Sequence, residues 1–175
     1  PLLDSIRKCP VAPEGEKAMR QRRGGGEETA MVVRCHDMQL LLCDEMEALA
    51  DSLPSGANLR RRLHLACAVS ALVASTHQIE EALLFGPLSR LANRVPDMPA
   101  TLERLRFEHH SDLCFAEEID EALLAFGRTE DLMTADAIGY MLRAFFEGVR
   151  RHVAFEREIL VPLLSLVHPV SHNAS

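Results

Sequence analysis

The sequence predicts an all-α protein, an up-down-up-down antiparallel four-helix bundle, and three observations predict it. Glycine and proline are scarce, nine each in 175 residues, so long segments rich in Leu, Ala, Glu and Arg run uninterrupted. Val, Ile and the aromatics, the latter 5% of the chain, are too few and wrongly spaced for a sheet protein. Within the long segments apolar residues recur every three to four positions, and the joints between them are short, which favours antiparallel neighbours. At 47% hydrophobic the chain suits one domain with a substantial core.

Residues 1–26 mix Pro10, Pro13, the basic cluster Lys17, Arg20, Arg22 and Arg23, and Gly24-Gly25-Gly26. That composition suits a flexible N-terminal arm, solvated and balancing an acidic body. No Lys-Ser/Thr follows the three glycines, so they are not a phosphate-binding loop of the usual kind. The bundle is expected over residues 27–167, with a C-terminal tail over 168–175. Its first helix should span Glu27 to Asp51, acidic at its start and stopped by Ser52-Leu53-Pro54-Ser55-Gly56. Val32, Val33, His36, Leu40 and Cys43 share a stripe there. The second should start near Ala57, carry Leu63, Ala66, Ser70, Val73, His77, Glu81 and Leu84 inward, and lose regularity at Gly86-Pro87. The third spans Ala100 to Phe126 with Leu102, Leu105, His109, Ala116 and Leu123 inward, and Gly127 is its stop. Thr134-Ala135-Asp136 caps the fourth, which presents Ile138, Phe145, Val149, His152, Glu156, Ile159 and Leu163.

Composition narrows the partners. A formal charge of -7, spread over mixed-sign segments, argues against nucleic acid, whose phosphates need a basic face. No apolar run approaches the roughly 20 residues that cross a bilayer, and no signal peptide is evident. A cytoplasmic protein with no membrane partner is expected. The five cysteines are odd in number and lack Cys-x-x-Cys pairs, which fits reduced thiols, several filling the core. Outer apolar residues such as Phe146 or Leu124 are candidates for a homodimer contact, burial in the core being the alternative.

The chemistry lies in a pattern written twice. His77-Gln78-Ile79-Glu80-Glu81-Ala82-Leu83-Leu84-Phe85-Gly86-Pro87-Leu88 is echoed by His152-Val153-Ala154-Phe155-Glu156-Arg157-Glu158-Ile159-Leu160-Val161-Pro162-Leu163. Each copy opens on His, has Glu four residues on, and closes on Pro-Leu. A four-residue step is one helical turn plus about 40°, so imidazole and carboxylate share a face. A lone histidine, His36 or His109, precedes each copy at nearly the same distance. Burying such groups in apolar stripes costs several kcal/mol unless something compensates, and a metal does. His36, His77, His109 and His152 are read as terminal nitrogen ligands, and Glu81 and Glu156 as carboxylates bridging two ions. Imidazole with carboxylate suits iron first, with manganese or zinc as alternatives, and leaves coordination positions open. The phase of the third helix favours His109 over His110. Glu80 is read as a flank or outer hydrogen-bond acceptor, while His64, His168 and His172 fall outside the site.

This pattern resembles the hemerythrin-like, HHE cation-binding family over about residues 27–167. The resemblance implies a bundle around a non-haem di-iron centre, two iron ions with an oxo or hydroxo bridge, which binds or senses oxygen, nitric oxide or iron. It carries over to His36, His77, Glu81, His109, His152 and Glu156. Oxygen-carrying members place a second His one turn after the first on the third helix, where this chain has Leu113. A more open and more reactive centre is implied. A metal-binding or sensing protein is therefore favoured over an enzyme. The alternatives are a di-iron oxidase, peroxidase or iron-sulfur repair enzyme, and a metal-free helical interaction module. No Glu stands three residues before any histidine, which counts against a ferritin-like site.

Overall fold

The computed structural model describes residues 25–53, 59–127 and 133–167. The N-terminal arm up to residue 24, Pro54-Ser55-Gly56, and the tail with His168 and His172 lie outside the described residues. Helix α1 runs Gly25–Ser52, with Glu27 and Glu28 complementing the positive end of its dipole. A short α2, Leu59–Leu65, precedes α3, Val69–Glu80. Helix α4 runs Met98–Ala125, begun by Pro99 in its first turn and ended at Gly127, whose φ of 80° is one a side chain resists. The Arg62 guanidinium donates to the Phe126 carbonyl at that negative helix end. Helix α5 runs Ala135–Phe155, and the Ala137 N–H donates to the capping Thr134 Oγ1 at 3.1 Å. No strand occurs among the described residues, and the fold is the all-α four-helix bundle that the sequence predicts. No described helix is long and apolar enough to cross a membrane.

Cross-helix pairs fix the directions. Arg143 pairs with Asp51, Arg150 with Glu47 and Asp44, and Arg157 with Asp37, so α5 climbs as α1 descends. Gln39 meets Thr76 while Arg61 meets Glu45, which sets α1 against the α2–α3 rod. Ser70 meets Asp120 while Glu81 meets His109, which sets α3 against α4. Phe115 packs edge-on to Phe145 while Glu108 reaches His152, which sets α4 against α5. Each neighbour is antiparallel.

Two features depart from a continuous 3.6-residue phase. Residues 66–68 form a tight turn in which Ala68 N–H bonds Leu65 O at 2.8 Å, breaking the expected second helix. Downstream of it the buried stripe centres on Val69, Leu72, Thr76 and Glu80, while Leu63 is exposed and Ser70 half-buried. The second feature occurs in both copies of the repeat. Glu81–Phe85 and Glu156–Leu160 are π-helical, with Gly86 N–H reaching back to Glu81 O and Val161 N–H to Glu156 O. Pro87 and Pro162 follow immediately; each lacks an N–H and its ring crowds the carbonyl four residues back, so the turn before it widens. The wide turn advances the inward face by one residue. Leu160 and Leu164 are therefore buried where Ile159 and Leu163 were expected, and Ile159 is 51% exposed.

The core is divided. One apolar cluster includes Leu42, Met46, Leu49, Leu65, Leu72, Ile119, Leu123, Leu142 and Phe146. The other gathers Val32, Leu84, Phe85, Leu88, Leu102, Leu105 and Leu160. Between them lies one buried polar layer of His36, Gln39, Thr76, His77, Glu80, His109, His152 and Glu156. Phe146, a candidate interface residue from sequence, is 2% exposed and covered by the Arg150 guanidinium at 4.8 Å, so it belongs to the core; Leu124 is 39% exposed. Cys35 and Cys43 are buried, Cys67 and Cys114 exposed, and no disulfide joins them.

Stability should rest on the clusters rather than on the arginine ladder. Met46→Ala is expected to lower unfolding free energy by about 2–5 kcal/mol. Arg150→Ala, at a partly solvated ion pair, should cost about 1 kcal/mol or less. Urea denaturation of the two variants measures the difference, and comparable losses would refute it.

Candidate metal centre

All four rods contribute to the polar layer. Helix α1 delivers His36 and Gln39, α3 delivers Thr76, His77 and Glu80, α4 delivers His109, and α5 delivers His152, with Glu156 opening the π turn that follows. Ligand atoms of Glu80, His109, His152 and Glu156 all lie within 4.8 Å of one another. His36 joins from the far side, its Nε2 at 2.9 Å from Glu156 Oε2 and 3.6 Å from Glu80 Oε1. The other oxygens of those carboxylates face the remaining imidazoles. Glu80 Oε2 is 3.6 Å from His109 Nε2, and Glu156 Oε1 is 3.2 Å from His152 Nε2. Each carboxylate thus presents one oxygen to His36 and the other to the His109/His152 side.

The outer nitrogens are tied down. His109 Nδ1 lies 3.0 Å from Glu81 Oε1, and His152 Nδ1 lies 3.3 Å from Glu108 Oε2. A carboxylate can only accept, so each Nδ1 carries the hydrogen and a neutral ring then offers a lone pair at Nε2. Those two Nε2 atoms meet at 3.1 Å. With both rings neutral the lone pairs face and repel, and carboxylate oxygens beside them add to the repulsion. A proton on one ring or a metal cation at this focus resolves the conflict. The layer also leaves His36 Nδ1, Gln39 Oε1 and Glu80 Oε1 buried without a hydrogen-bond partner, another sign of acceptors in excess. The donor set, imidazole nitrogen and carboxylate oxygen with no thiolate in the group, can hold a metal ion.

Electrostatics tells the same story. Burial, then the charge of Glu156, pushes the Glu80 carboxyl well above the usual carboxylate range, against a hydrogen bond from Gln39. Burial likewise pulls His77 well below its ordinary value, helped by His109 and His152. Burial, His152 and Arg106 pull His109 down to about 3. For His152 burial acts downward, but the hydrogen bond and charge of Glu156, with Asp112 and Glu108, outweigh it and raise the imidazole. Burial acts upward on Glu156, yet hydrogen bonds from His152 and His36 leave it lowered. A proton on His152 and a metal cation answer the same electrostatic demand.

Of the six side chains expected from sequence, the structure brings His36, His109, His152 and Glu156 together. His77 lies in the same layer but stacks flat on His109, ring centroids 3.8 Å apart and planes 6° apart. Glu81 is not at the focus. Its side chain is 39% exposed and spans from His109 Nδ1 to Arg106 Nε at 3.9 Å, while Glu80 is wholly buried at the centre. The three-residue and four-residue steps from His77 leave Glu80 about 60° to one side and Glu81 about 40° to the other, so His77 alone cannot decide. The buried run Val69, Leu72, Thr76, Glu80 does decide, and its spacing was legible in the sequence. Glu108 and Gln39 had no such signal. His109 faces inward and His110 outward, as its helix phase predicts, and Leu113 is half-buried against the larger apolar cluster.

The sign of the pH dependence follows from these shifts. His109 titrates near 6.5 when unfolded and near 3 when folded, so its contribution is intact above about pH 6.5 and lost as pH falls towards 3. The raised Glu80 carboxyl works oppositely: its contribution is full below the unfolded carboxylate value and lost as pH rises through the folded one. Metal-free Glu80→Gln should accordingly be more stable than the parent at about pH 8 and no more stable at about pH 4. Denaturant melts across that range check this, and a pH-independent difference would refute it.

No match to the chain was found among curated proteins or among solved structures. The hemerythrin HHE cation-binding domain matches residues 28–164, which takes in all four rods and every residue of the polar layer. The chain belongs to the hemerythrin HHE cation-binding domain family.

Proposed function

We propose that the polar layer holds a dinuclear non-haem iron centre with which the protein binds or senses oxygen, nitric oxide or iron. The meeting of His109 Nε2 and His152 Nε2 at 3.1 Å, with both Nδ1 atoms engaged by carboxylates, carries this reading. His109 and His152 would serve one ion and His36 the other, with His77 the remaining imidazole of the layer. Glu80 and Glu156 would span the pair, since each offers an oxygen to either side. Glu81 and Glu108 would orient His109 and His152 through Nδ1, the outer arrangement that fixes a ligating imidazole and raises its basicity. When bound, iron supplies open coordination positions and an accessible change of oxidation state. The chain supplies the enclosure: Phe85 lies over His109 with ring centroids 5.1 Å apart, and the two apolar clusters keep water from the ends of the layer.

Anaerobic titration of the metal-free chain with ferrous ion tests the reading, and uptake of two ions per chain is expected. Glu80→Ala should take up one or none, whereas Glu81→Ala should retain both with affinity lowered about 10- to 100-fold. A parent chain that takes up no ferrous ion overturns the proposal. Full loading of Glu80→Ala with loss in Glu81→Ala returns the spanning role to Glu81. Optical titration of the loaded chain with oxygen and nitric oxide, followed by turnover assays, then separates a binding protein from an oxidase or peroxidase.

A further inference from the structure

A cavity of about 380 Å³ opens between α4 and α5 beside the polar layer. His152, with Glu108 at its Nδ1, lines the cavity and is the one side chain shared by the cavity and the four-residue group that could hold a metal. Gly148, one turn earlier on α5, forms part of its wall. A glycine inside a helix weakens that helix relative to alanine and calls for a reason. Close packing is not the reason, because a Cβ built at Gly148 meets nothing within 4 Å. What the missing side chain preserves is open volume one turn above His152. The wall is also held back from the opening: Arg104 pairs with Glu108 and lies over the Phe155 ring at 5.4 Å.

Among the described residues, both ends and two other sides of the layer are covered. Apolar clusters close both ends, and the arginine ladder and its acidic partners line the α1–α5 seam. On the α3–α4 side Phe85 stacks on His109 and Arg106 lies over Phe85 at 5.7 Å. The charge of the cavity favours no ion of either sign, with Arg104 and Arg151 set against Glu108 and Asp112.

The geometry points to this cavity as the port through which a small uncharged ligand, nitric oxide or dioxygen, passes between solvent and the His109/His152 side of the centre, kept open by Gly148. This rests on the metal-binding reading above. The test is stopped-flow mixing of nitric oxide with the full, iron-loaded chain and with Gly148→Ala, Gly148→Leu and Arg151→Trp, each first checked for iron content and helicity. Arg151→Trp blocks from the exposed rim and leaves the helix interior alone. Association should slow with added bulk, by about tenfold or more for Gly148→Leu, and dissociation should slow by the same factor, leaving affinity unchanged. Unchanged rates in iron-replete Gly148→Leu and Arg151→Trp overturn the port and leave the metal reading intact. Loss of affinity without slower dissociation also overturns it. A parent chain that loads no iron overturns the metal reading instead.

Discussion

Two imidazole nitrogens that both need a positive partner, held 3.1 Å apart in a water-poor layer, set the terms for the rest of this molecule. The constraint is chemical before it is structural. If Nδ1 of either ring were free, a tautomer change would turn the contact into an ordinary hydrogen bond. Glu81 and Glu108 remove that freedom by engaging both Nδ1 atoms. The carboxylates of Glu80 and Glu156 then converge on an already acceptor-rich point. Such a layer is unfavourable in an empty helical bundle, where each buried charge loses hydration. The larger apolar cluster on one side and the smaller on the other must carry the fold against it, and their fully buried leucines and Phe85 are worth roughly 1.5–3 kcal/mol each.

The π turns show how backbone chemistry serves that layer. Each begins on the glutamate of a His-x-x-x-Glu copy and precedes a proline. The proline spoils the ordinary bond of the turn before it, and the widened turn re-aims the downstream apolar residues. Leu84 within one turn and Leu88 after it, with Leu160 within the other and Leu164 after it, pack together in the smaller cluster. Glu156 and the apolar cluster beside the polar layer are thus positioned by a local device that occurs twice.

Much of this was legible in the sequence because it depends on period and repetition. The bundle, the inward choice of His109 over His110, and the link between Glu156 and His152 follow from residues three or four apart on a regular helix. The repeat favours Glu81, four residues after His77 as Glu156 is after His152, but the buried run Val69, Leu72, Thr76, Glu80 centres Glu80. The wide turn after Glu156 moves Ile159 outward. Glu108, Gln39 and the ladder of Arg143, Arg150 and Arg157 were illegible for another reason. Charged residues on a helix are ordinarily solvated, and only the packing of the neighbouring rod shows which of them find partners.

The duplicated motif does not produce a symmetric site. Between α1 and α3, Gln39 and Thr76 fill the space beside Glu80, Gln39 donating to Thr76 Oγ1 and to Glu80 Oε2, the oxygen that also lies 3.6 Å from His109 Nε2. On the His152 side, the corresponding space beside α5 holds Gly148 and an open cavity rather than an amide. The surroundings of the two central glutamates therefore differ: an amide and a hydroxyl pack beside Glu80, whereas a cavity lies against His152, one turn before Glu156. Leu113, one turn after His109 on α4, is half-buried against the larger apolar cluster and offers no donor atom. The port proposed above therefore lies on the α4–α5 side, where Gly148 leaves volume one turn before His152, while an amide and a hydroxyl occupy the space beside Glu80.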